Sequence, residues 1–390
     1  MPGHLGGGPV RALVNLIDHL HTTHEFFIFT RNHDYLDHRD YSQIEPNVWQ
    51  HQTRASVYYT KSQEASRSLL EQIKCVQPDW IYLNGALPPL TRMLLRLRQT
   101  DAEVRQVPIL LAPHGNLSGS TLAHHRLRKQ VWLLFARWRK LYSEVIWHAA
   151  SVRETEQIRM VFGQQAQIRE IPMAPSFAES EPLLAAAEVS PLGSKSESSS
   201  RASTFRLVYF GRLSPEKNLP FAFQLLAKFA RQHPQQQICY DLIGSGCDAY
   251  LQELQKLATQ LPTNVQIHFV GQLSPDALAL RLRGGFTHSA PPYHALLMPS
   301  LTENFSYTVL ESLQAGIPVL ISDQTPWHEL AERGLGWDLK LHDLNTWLSA
   351  LEFLQAESEV ERIDRRQRCR LFAVDWIASY ASQACKLFAL

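Results

Sequence analysis

The chain has 390 residues, 45% of them hydrophobic and 19% charged, enough apolar material for the cores of two or three domains and too much for wholesale disorder. Lysine plus arginine (38) nearly balances aspartate plus glutamate (37), and the resulting net charge of +1 argues against the chain-wide basic surface of a nucleic-acid binder. Five widely spaced cysteines with no CxxC pair argue against a disulfide framework or a structural zinc site and fit a reducing cytoplasm.

The N-terminus lacks the regions of a signal peptide, and no apolar run approaches the roughly 20 residues that span a bilayer. In chain order, a glycine loop at Gly6-Gly7-Gly8-Pro9 precedes a helical pattern through Leu20. Short, continuous apolar runs follow at Phe26–Thr30, Trp80–Leu83, Ile109–Ala112, Val145–Ala149 and Ile168–Pro172. A second series lies at Arg206–Phe210, Cys239–Ile243, Gln266–Val270, Ala295–Met298 and Pro318–Ile321. Continuous rather than alternating runs are how strands buried on both faces read. Helical patterns such as Phe221–Arg231 and Tyr250–Gln260 lie between them, so the chain is predicted to be α/β, with doubly wound parallel sheets. Seven of the fourteen residues from Ser190 to Ser203 are serine, a composition that cannot bury enough area to order itself.

The predicted layout is a first domain over 1–175, a linker over 176–204, a second domain over 205–374 and a C-terminal amphipathic helix over 375–390. Within 121–142, Arg126, Arg128, Lys129, Arg137, Arg139 and Lys140 interleave with Trp132, Leu133, Phe135 and Trp138. A basic aromatic helix of this kind reads either as a membrane-surface element or as a core-packed helix with solvated charges. His19, His21 and His24 lack a completing ligand pattern and read as surface histidines.

Two segments carry the chemistry. In MPSLTENFSYTVLESLQAGIPVLISDQTP (298–326) a strand leads through Glu303, Asn304 and Phe305 into a helix that starts near Ser306 and stops at Gly316. With Glu303 on the first helical turn, Glu311 would lie roughly 12 Å away, suited to two ends of one extended ligand. In YFGRLSPEKN (209–218), Gly211 turns the chain after a buried strand, and Arg212 and Lys217 follow where open α/β sheets bind ligands. Weaker signals are Gly244-Ser245-Gly246, Gly271-Gln272-Leu273, and Pro113-His114-Gly115-Asn116 after the strand at Ile109–Ala112.

Taken in order, GGGPVRAL, APHGNL, HAASVRETEQI, YFGRLSPEKN, LIGSG and ENFSYTVLESLQAGIPVLISD resemble the family-4, or group 1, glycosyltransferases. The opening and the ISDQTPW–GLGWDL close look like a bacterial polysaccharide- and lipopolysaccharide-building subgroup. The resemblance implies the GT-B fold, two Rossmann-like domains facing a central cleft. It implies a retaining, metal-independent transfer from a nucleotide-diphosphate sugar to a glycan or lipid-linked acceptor, without a cofactor. Carried over, Arg212 and Lys217 would hold the diphosphate, and Glu303 with the amides of Asn304 and Phe305 would contact the sugar. Glu311 would accept the ribose hydroxyls, and residues around Leu273 would flank the base. Gly7 and Gly8 would close over the donor, and His114 would line the reacting sugar; Gly211 and Ser306 complete the donor-binding set.

Two departures stand out. Many relatives have Gly then His where this chain has Ser306 and Tyr307, and the strand that normally precedes the glycine loop is missing. They keep open a catalytically impaired, sugar-nucleotide-binding relative; a sugar-nucleotide epimerase on the same fold fits the Glu303–Glu311 pattern less well. Expected partners are the donor, the acceptor and an anionic membrane surface at 121–142, with no nucleic acid; the expected location is the cytoplasm, at the inner membrane face.

Overall fold

The computed structural model describes residues 7–34, 39–61, 63–117, 126–175, 204–284 and 293–389. The chain divides into two units, residues 1–177 with 378–390, and residues 178–377. Most of the predicted linker, 176–203, lies outside the described residues.

The first unit opens with helix α1 (Gly7–Leu20). Strands β1 (Phe27–Arg31), β2 (Trp49–His51) and β3 (Ser56–Thr60) form a three-stranded sheet in the order β1-β3-β2. Helix α2 (Ala65–Val76) leads to β4 (Ile81–Asn84), α3 (Pro89–Thr100), α4 (Ala102–Gln106) and β5 (Ile109–Ala112). Helix α5 (Arg126–Trp138), β6 (Val145–Ala149), α6 (Val152–Phe162) and β7 (Gln167–Glu170) follow. Strands β4-β5-β6-β7 pair in parallel, in chain order. Ile109, Leu111, Val145 and Trp147 are almost fully buried among Leu94, Leu95, Trp132 and Ile158. Burying each large apolar side chain contributes about 1.5–3 kcal/mol.

Residues 378–390 pack in this unit. Arg169 donates to the carbonyls of Leu387 and, at 2.6 Å, Ala389. The Phe388 ring meets Trp80, Tyr82 and His24. His19, expected at the surface, instead donates to Pro175 O at 3.1 Å and sets its ring against Tyr380.

The second unit is one six-stranded parallel sheet in the order β10-β9-β8-β11-β12-β13. Its strands are β8 (Phe205–Phe210), β9 (Ile238–Ile243), β10 (Val265–Gly271), β11 (Ala295–Met298), β12 (Val319–Ser322) and β13 (Gly336–Leu339). Its helices are α7 (Leu219–Gln232), α8 (Asp248–Ala258), α9 (Pro275–Arg283), α10 (Tyr307–Gln314), α11 (Leu344–Ala356) and α12 (Glu359–Ala384), whose last turns belong to the first unit. Every residue of β9, β11 and β12 is buried, which is why these runs read as continuous rather than alternating.

The predicted strands are present, most with ends shifted by a residue. Strands β2, β3 and β13 escaped the sequence reading. The Ser-Val-Tyr-Tyr-Thr run of β3 carried a legible β-branched and aromatic signal, whereas β2 has only three residues and the Gly-Trp-Asp-Leu of β13 is not a continuous apolar run. Among the described residues of the first unit no strand joins β1 to β4, so its strands form two sheets rather than one.

Candidate active site

The strand order of the second unit reverses between β8 and β11. The chain lays down β8, β9 and β10 toward one edge, then returns beside β8 to add β11, β12 and β13. A gap opens between the loops at the carboxyl ends of the two strands where such a sheet switches direction, and ligands bind there.

Both chemical segments end at this point. After β8, Gly211 (φ +130°) turns the chain, and a short 3-10 turn, Pro215–Lys217, carries Lys217. After β11, a loop carries Glu303. Lys217 Nζ lies 2.5 Å from Glu303 Oε1, and the side chains are largely buried. Ser300 Oγ donates to the same oxygen at 2.8 Å, and Ser300 O in turn accepts from Ser322 Oγ at 2.5 Å. The backbone repeats the tie: Leu301 N–H donates to Glu216 O and Glu303 N–H to Gln324 O. Among the described residues, Glu303 Oε2 takes no hydrogen bond. Arg212 is exposed and makes no ion pair with a described residue; its carbonyl is held by Tyr209 OH at 2.8 Å. Lys217, with two N–H bonds left over, and Arg212 therefore offer cationic donors beside a carboxylate.

Three neighbouring turns complete the rim. Gly211 N–H donates to Ile243 O, Gly244 N–H to Gly271 O, and Leu213 N–H to Ser245 O. A Cβ on Gly244 (φ +145°) would lie 1.9 Å from Gly211 O, so the turns after β8 and β9 cross with no room for a side chain. Leu273, half-buried, follows β10 on the same rim.

The loop before α10 corrects part of the sequence reading. Glu303 lies outside the helix, so the spacing of one helical rise per residue does not describe its distance from Glu311, a half-buried residue within α10. Phe305 is 6% exposed, set among Tyr307, Trp327 and Trp376 with ring centroids 5.0 to 5.5 Å away. Trp327 Nε1–H donates to Phe305 O at 2.5 Å. The Phe305 side chain thus anchors the loop in the core. Ser306 takes φ +66°, a conformation a glycine adopts freely, and α10 begins without a side-chain cap. Thr308 Oγ1 donates to Phe210 O at 3.1 Å and ties α10 to the end of β8. The sequence reading assigned no roles to Tyr209, Ser300, Thr308, Gln324 or Trp327. All five stand inside or next to the segments singled out in the sequence, but their tertiary partners left no local signal.

His114 belongs to the first unit, in the turn after β5, with φ +48°. Its Nε2–H donates to Asn84 Oδ1 at 2.9 Å, which leaves Nδ1 as an acceptor. Desolvation, with His148 nearby, pushes its pKa down to about 3, so it is neutral at pH 7. The same turn is held by buried Glu154, which accepts from Gly115 N–H at 2.8 Å and Ala150 N–H at 2.9 Å. Gly7 and Gly8 lie in the first turn of α1 rather than in a loop before it.

Cys239, Asp241 and His268 also converge, with donor atoms 2.9 to 3.4 Å apart. Burial alone would raise the Asp241 carboxyl, but Tyr293, Arg281 and Cys239 donate to it and hold it below the usual carboxylate range. Burial and Asp241 push the Cys239 thiol up to about 12. With Arg281 at 2.8 Å and Arg206 at 3.5 Å, the Asp241 charge is already compensated, and the cluster is a self-contained network.

Residues 194–343 match the family model of the glycosyl transferases group 1. No curated protein matches the chain in sequence. Among solved structures, the chain resembles Anabaena HepE in complex with UDP-glucose, at 16% identity over 97% of this chain and 95% of that one, with a TM-score of 0.63. It resembles the sucrose-phosphate synthase of Thermosynechococcus elongatus at 19% identity over 98% and 93%, with a TM-score of 0.66. It also resembles a UDP-forming trehalose-phosphate synthase of Burkholderia xenovorans at 12% identity over 100% and 98%, with a TM-score of 0.65. At these identities the likeness is one of fold.

Proposed function

We propose that this chain, a group 1 glycosyltransferase of the GT-B fold, moves a sugar from a nucleotide-diphosphate donor to a hydroxyl of a glycan or lipid-linked acceptor in cell-surface polysaccharide synthesis. The observation that carries this reading is the Lys217–Glu303 pair at the switch point of the second sheet. Arg212 and Lys217 bind the diphosphate. The anomeric C–O bond breaks, the electron pair leaves with the diphosphate, and the two cations with the amides at the start of α10 neutralise the charge without a metal. The acceptor oxygen bonds to the anomeric carbon on the face the diphosphate leaves, and its proton passes to the departing phosphate oxygen, so configuration is retained. Glu303 Oε2 accepts from a sugar hydroxyl, and Glu311 from the ribose.

A uridine donor is the first to test, since HepE holds UDP-glucose and the Burkholderia enzyme is UDP-forming. A panel of UDP-, GDP- and ADP-sugars read by thermal shift should give one clear stabilisation, since a bound ligand raises stability by RT ln(1 + [L]/Kd). Lys217→Ala should weaken that binding on the order of tenfold or more and lower donor turnover with it. Binding without transfer or donor hydrolysis for any sugar would overturn catalysis and leave a sugar-nucleotide-binding protein.

A further inference from the structure

Helix α5 is apolar on two faces. Trp132, Leu133 and Ala136 turn inward, each less than a tenth exposed, and close the core over β5 and β6. Val131, Leu134, Phe135 and Trp138 are 65%, 66%, 37% and 75% exposed. At 3.6 residues per turn these four fall within an arc of about 100°, and the inward three within a similar arc roughly opposite. Core packing needs one apolar stripe; the outward one is surplus to it.

The charge around the outward stripe has one sign. Arg137, Arg139 and Lys140 are exposed, and no acidic residue occurs from Thr121 to Ser143. Exposed Arg96 of α3 reaches to 5.8 Å from the Phe135 ring centroid, and Arg139 to 5.9 Å from that of Trp138. The next acid, Glu144, is paired with Arg98 at 3.2 Å. A second copy of this chain docked on the same face through a two-fold axis would set these cations against their own copies. An anionic lipid surface complements both features. Apolar side chains with a terminal tryptophan seat at the headgroup boundary, while arginine and lysine meet lipid phosphates. No helix among the described residues is long and apolar enough to cross a membrane, so such a contact is peripheral.

We infer that the outward face of α5 docks the first unit onto an anionic bilayer. The inference goes beyond the transfer reaction and is tested without a sugar donor. In co-sedimentation, the full chain should pellet with phosphatidylcholine vesicles that contain phosphatidylglycerol and stay in solution with phosphatidylcholine alone. High salt should release it, because the screening length falls from about 10 Å at 0.1 M to about 3 Å at 1 M. Leu134→Ser with Trp138→Ser, and separately Arg137→Gln with Arg139→Gln and Lys140→Gln, should each lower partitioning on the order of tenfold or more. These positions are exposed, so both variants should keep the thermal melting and donor response of the parent. Equal recovery in the supernatant with and without vesicles would overturn the inference. So would unchanged partitioning of both variants, or a wild-type dimer in sedimentation velocity that the double serine variant splits.

Discussion

Glu303 owes its position to neighbours that carry no charge of their own. Ser300 occupies one side of its Oε1, Ser322 holds Ser300, and Gln324 accepts from the Glu303 backbone, so Lys217 meets a carboxylate already fixed in place. A largely buried ion pair is costly to break on one side only, because the remaining charge stays desolvated. Glu303→Gln and Lys217→Met should each destabilise the protein by about 1–3 kcal/mol in urea unfolding. The double variant should cost less than the sum, with a coupling of about 0.5–3 kcal/mol. Strict additivity would show that the pair is not coupled in solution. Sequence reading nominated both residues but not their contact, because nothing local records that they meet.

At the scale of elements, the site is a set of strand-to-helix turns, and their tolerance follows from what each turn touches. Gly244 and Gly271 end adjacent strands with positive φ. A Cβ on Gly244 meets backbone at 1.9 Å, whereas one on Gly271 meets nothing within 4 Å. Gly271→Ala should therefore cost only conformational strain, about 1–2 kcal/mol. Gly244→Ala should cost on the order of 3 kcal/mol or more and disturb the Gly211 turn and donor binding with it. Equal melting temperatures for the two variants would contradict the crossing of these turns. The glycines were legible as turns; which of them carries a steric constraint was not, since that depends on a neighbouring strand's loop.

For the whole molecule, buried neutral histidines set an acid limit. Burial pushes His148 down to about 4; its Nε2–H donates to Ile171 O and its Nδ1 accepts from Tyr82 OH. His114 lies near 3, and burial with Arg362 alongside brings His294 to about 4. The folded pKa values lie below the unfolded value of about 6.5, so the unfolded chain takes up protons first as pH falls. Stability should hold above about pH 6.5 and drop below it by roughly 1.4 kcal/mol per pH unit per site, until each folded pKa is reached. Urea midpoints at pH 7.5, 6 and 5 check this; a flat profile would contradict it.

The sequence by itself determined the two series of buried parallel strands, the turns that end them and the order of the chemical segments. Each of these rests on local apolar runs, glycine placement and helix boundaries. Only the tertiary structure decided that Lys217 and Glu303, 86 residues apart, share a hydrogen bond, because the crossing from β10 back to β11 brings their loops together. It decided that Phe305 anchors the core and that Glu303 stands outside its helix. It also decided that the basic aromatic stretch carries two apolar faces rather than one. A periodic pattern shows how much apolar surface a helix has, whereas burial depends on what the rest of the chain lays against it.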